Sequence, residues 1–132
     1  MTITVKRDHP GQMRHTIRIG SHSVTVDEPP ANGGEDAGPT PHDLYDAALG
    51  ACKALTLVWY ARRKGMALRD IEIDIERDAS REPQGVYRLR ALLSLSGDLS
   101  DAEREQLLSV ASRCPIHKLM TQVTTEVETA WK

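Results

Sequence analysis

Phenylalanine is absent from the 132 residues, and aromatics make up only 4%, as two Trp and three Tyr. That is too sparse for a platform on which nucleic-acid bases stack. No charge of one sign dominates: 17 Lys and Arg stand against 19 Asp and Glu, a formal charge of −2. A phosphate-neutralising face has no support in such a balance, so nucleic acid is not expected as a partner. Long apolar runs are missing too. Charges break each one well before spanning length, and no membrane partner is expected. The opening MTITVKRDHPG has no apolar core of a secretory signal, so the expected location is cytoplasmic. Cysteine is scarce, with Cys52 and Cys114 alone. In that compartment a structural disulfide is disfavoured, which leaves inert thiols or redox chemistry.

What is present reads as a single domain over residues 1–132. TITVKR alternates as a half-buried strand does, and RHTIRIGSHSVTVDEP continues as two short strands broken at Gly20 and Ser21. EPPANGGEDAGP is a loop. Thr40 as N-cap, Pro41 at N1 and Asp43 at N3 then mark a helix start. The helix runs to Lys64, with Arg62, Arg63 and Lys64 at its negative end and Gly65 beyond. Ala48, Cys52, Leu55 and Trp59 share one face of it, which places Cys52 on an apolar stripe rather than in solvent. IEIDIER and VYRLRALLSLSG form a hairpin around REPQG. Ser100 and Glu103 box the start of a second helix, CPIHKLMTQ is a short third one, and VTTEVETAW is a last strand. Strands grouped in hairpins make the fold class α+β.

The two cysteines differ. Cys114 precedes Pro115 and so takes the N-cap of the third helix, beside free backbone N–H groups that favour thiolate. Either it is reactive there, or a small apolar residue simply begins a helix. Cys52, inside an apolar stripe, is buried filler unless another segment supplies a cation. A metal site from Cys52, Cys114, His42 and His117 is disfavoured. His42 and Cys52 lie ten residues apart on one helix, a rise of about 15 Å.

GPTPHDLYDAALGAC, followed some way on by CPIHKL, resembles the OsmC/Ohr superfamily of osmotically inducible and organic hydroperoxide resistance proteins. The DEP…GG…GPTP run, the IEIDIE hairpin and the terminal VTTEVE fall in the family's order, so the resemblance spans nearly the whole chain. Its wording is closer to the general OsmC-like branch. The resemblance implies an intertwined homodimer in which antiparallel sheets wrap long central helices, with the site at the interface. It implies a thiol-dependent peroxidase for organic hydroperoxides in oxidative stress defence, with no cofactor, recharged by an external dithiol. Cys52 takes the peroxidatic position and Cys114 the resolving one. Arg14 takes the family's arginine position, with Arg18 as the alternative. Trp59, on the stripe of Cys52, and His42 are the further binding residues.

His42 is a departure. Peroxidase members carry Glu there, which holds the arginine on the thiolate. Imidazole cannot take a bidentate, charge-assisted bond from Arg as a carboxylate does. Either another acid, Asp46 or Glu35, positions the arginine, or turnover is weak. In the second case the chain is a dimeric OsmC-fold protein that binds a ligand or responds to redox change.

Overall fold

The computed structural model describes residues 1–132, which divide into two compact units, Met1–Tyr45 and Asp46–Lys132.

The first unit is an antiparallel meander of β1 (Ile3–Arg7), β2 (His15–Ile19) and β3 (His22–Val26), in the order β1-β2-β3. Val5 faces Ile17, and Ile17 faces Val24, so the β-branched residues form a cross-strand row. The loop after β3 is organised by one buried carboxylate. Asp27 Oδ1 accepts the Glu28 N–H at 2.8 Å, and Oδ2 accepts those of Glu35 at 3.1 Å and Ala37 at 3.0 Å. These donors, that of Ala37 first, hold the carboxyl below its ordinary value of 3.8. The loop closes so tightly that a Cβ on Gly34 would lie 1.8 Å from the Glu28 carbonyl oxygen. Only glycine permits that approach.

The long helix α1 (Pro41–Lys64) has its first turn in this unit. Its start is the expected box: Asp43 N–H donates to Thr40 Oγ1 at 3.1 Å, and Thr40 N–H donates to Asp43 Oδ2 at 3.0 Å.

The second unit holds the rest of α1, the hairpin β4 (Ala67–Asp78) and β5 (Arg88–Asp98), α2 (Asp101–Ala111) and α3 (Pro115–Thr121). Ile71, Ile73 and Ile75 face inward from β4 as their alternation requires. The core joins Leu57 and Ala61 of α1 to Leu107 and Ala111 of α2, with Leu68, Ile71, Leu93 and Leu95 packed against them. Burying one such Leu contributes roughly 1.5–3 kcal/mol. Gly50 lets α1 settle on β4, since a Cβ there would stand 3.0 Å from Ile75 Cγ1.

Two expectations are corrected. The buried stripe of α1 is Asp46, Leu49, Gly50, Lys53, Leu57 and Ala61, not Ala48, Leu55 and Trp59, which are exposed. The helix is apolar on two faces, and periodicity alone does not say which one its own chain covers. The expected last strand is not formed: residues 123–132 lie outside any helix or strand and are exposed. Alternation marks a segment able to pair, but this one pairs with no edge of either sheet of its own chain.

Candidate active site

Both cysteines lie in the second unit as free thiols. Cys114 is fully buried at the N-cap of α3, and its Sγ accepts the His117 N–H at 3.4 Å. Pro115 at N1 needs no acceptor, so the cap is spent on a donor that requires one. Cys52 is half-buried on α1, beside the inward stripe and not within it. Its two flanks differ sharply, with Lys53 4% exposed on one side and Ala51 exposed on the other.

Lys53 is the residue that sequence reasoning missed. Its ammonium donates to the Ala111 carbonyl oxygen at 2.6 Å and to His117 Nδ1 at 3.1 Å. An ammonium only donates, so His117 Nδ1 is the acceptor, and neutral His117 carries its proton on Nε2. Burial pulls the His117 pKa below 6.5, and the Lys53 charge pulls it further. Lys53 is thus tied to the ring of the residue whose backbone binds Cys114. A lysine in a stripe of Leu and Ala was the available signal.

A second cluster is pinned on Asp46. Its Oδ2 accepts from Arg77 Nε at 2.5 Å and its Oδ1 from the Tyr87 hydroxyl at 2.7 Å. Burial, then the bond to Asp46, raises the Tyr87 pKa above 10.0. Both carboxylate oxygens are therefore engaged by β4 and the residue preceding β5.

The predicted arginines belong to the first unit. Arg14 Nε lies 3.1 Å from Asp8 Oδ2, an ion pair off the line of a hydrogen bond, and this buried N–H has no hydrogen-bond acceptor. Arg18 is exposed on β2, where it lines an open concavity with Lys6 and Arg7. His42 is exposed in the first turn of α1, and Trp59 is exposed further along it, stacked under the Arg63 guanidinium at 5.2 Å.

Residues 33–129 match the sequence pattern of the family described as OsmC-like protein. This chain belongs to the OsmC-like family. No curated protein matches it by sequence. Among solved structures it is similar to a protein from Psychrobacter arcticus. The TM-score is 0.77 at 18% identity, over 92% of this chain and 89% of that one. An OsmC-like protein from Mycoplasma pneumoniae gives 0.75 at 21% identity, over 92% and 87%. The organic hydroperoxide resistance protein OhrB of Bacillus subtilis gives 0.61 at 21% identity, over 92% of both chains. The α+β arrangement of this OsmC-like chain, with its two small antiparallel sheets and three helices, is the fold of these proteins. No helix of it is long and apolar enough to cross a membrane.

Proposed function

We propose that this OsmC-like chain, acting as one domain, is a thiol peroxidase that reduces organic hydroperoxides, with Cys52 as peroxidatic and Cys114 as resolving cysteine. The observation that carries the reading is the contrast between the two free thiols, one half-buried on α1 and one fully buried at a helix N-cap, in a chain of this family. The Cys52 thiolate attacks one peroxide oxygen and the O–O bond breaks. Sulfur is oxidised to sulfenic acid while the peroxide leaves as alcohol. The Cys114 thiol then displaces water from that sulfenic acid, forming a disulfide. An external dithiol reduces the disulfide and is itself oxidised to a disulfide. On the family resemblance the cation for the Cys52 thiolate is assigned to Arg14, with Arg18 as the alternative donor.

A homodimer with the site at its interface goes with this reading. Leu55 and Trp59 are 72% and 58% exposed on α1, an apolar face of the kind a second copy covers. The test is mass spectrometry after one equivalent of cumene hydroperoxide. Wild type should gain an intramolecular Cys52–Cys114 disulfide, and a Cys114→Ser variant should trap dimedone on Cys52. Absence of both products would refute the assignment.

A second reading is favoured by one observation. Asp46, an acid that could stand in for the Glu that the family resemblance puts at the position of His42, is already held by Arg77 and Tyr87. With the arginine clamp weakened, the chain would serve as a dimeric ligand-binding or redox-responsive protein. Slow turnover rescued by His42→Glu would favour it.

A further inference from the structure

Lys53 is 4% exposed and has no carboxylate partner. A buried ammonium normally has a counter-charge. Its two acceptors, a carbonyl oxygen and an imidazole nitrogen, leave the third N–H uncommitted.

Lys53 and His117 line a cavity of about 200 Å³. The rest of the wall is largely apolar, from Leu49 of α1, Leu89 and Leu93 of β5, and Leu108 of α2, with no acidic residue. Ser112 is the remaining polar side chain, and its hydroxyl already donates to the Ser109 carbonyl oxygen. Leu108 is 51% exposed and stands at the rim, so the cavity has an entrance. A cationic donor set at one place in an apolar chamber selects an amphipathic anion.

We propose that this cavity binds a medium-chain alkyl carboxylate, with its head on the Lys53 ammonium and the His117 ring and its chain among Leu49, Leu89, Leu93 and Leu108. The uncommitted Lys53 N–H and the His117 Nε2–H supply two donors for two carboxylate oxygens. An apolar cavity of about 150 Å³ holds benzene, so 200 Å³ suits a ligand of about eight heavy atoms, such as hexanoate. The site is built within one chain and does not depend on peroxidase chemistry.

The test is an NMR titration of the full-length protein with hexanoate, hexanol and hexylammonium, following the His117 ring and the Lys53 amide. Hexanoate should bind at least tenfold tighter than hexanol, and hexylammonium should not bind. Ala91→Leu, which fills the cavity wall and leaves Lys53 in place, should weaken hexanoate at least tenfold. Hexanoate binding no tighter than hexanol would overturn the proposal, as would full affinity in Ala91→Leu. The three probes on wild type decide the matter even if that variant fails to fold.

Discussion

Lys53 Nζ donates to the carbonyl oxygen of Ala111 at 2.6 Å, joining residues 58 apart in sequence. Ala111 ends α2, whose last turn contains no basic residue. Lys53 therefore satisfies an orphan carbonyl and places positive charge at the negative end of α2, from another helix.

Lys53→Met keeps the length of the side chain and removes the donor. The Ala111 carbonyl and His117 Nδ1 then lose their partner. Stability should fall by about 2 kcal/mol, read from the urea midpoint at constant slope.

The lowered His117 pKa makes stability depend on pH, and the sign follows from proton binding. The unfolded chain binds the proton more readily than the folded one, so stability rises with pH. The contribution is fully present above pH 6.5 and is lost as pH falls through the lower folded value. Asp27 behaves alike in a more acidic window, beginning below 3.8. Urea midpoints at pH 7.5 and pH 5 should differ in wild type, and the difference should shrink in His117→Gln.

Asp46→Asn removes the charge shared by Arg77 and Tyr87 in a 6% exposed position. Since Arg77 is part-exposed, about 2 kcal/mol should be lost. Glu76→Gln breaks only the 3.7 Å surface pair with Arg90 and should stay within about 0.5 kcal/mol of wild type. Equal losses in parallel denaturation curves would contradict the contrast.

Most elements were legible because their signals are local. Thr40 and Asp43 fix the start of α1, Ser100 and Glu103 that of α2, and Pro115 places Cys114 at a cap. The hairpin follows from the alternation of Ile71, Ile73 and Ile75. The inward face of α1 was not legible. Lys53 looks like a solvent residue until Ala111 and His117, some sixty positions on, arrive beside it. The clasp of Asp46 by Arg77 and Tyr87 is likewise tertiary. Cys52 could be singled out only by resemblance, because its half-buried place on a helix carries no local mark of reactivity.

Leu55→Glu puts a charge on the exposed apolar face of α1, away from the core of its own chain. Wild type should sediment as a dimer. The variant should dissociate at least tenfold more readily, with its helical circular dichroism unchanged. Monomeric wild type would remove the interface from the account.

The most direct measurement is consumption of cumene hydroperoxide with dihydrolipoamide as reductant, in wild type and Cys52→Ser side by side, with hydrogen peroxide as the comparison substrate. Fast turnover that prefers the organic peroxide and vanishes in Cys52→Ser is the expected result. Equal turnover in the two proteins would contradict the assignment of Cys52 as the peroxidatic thiol.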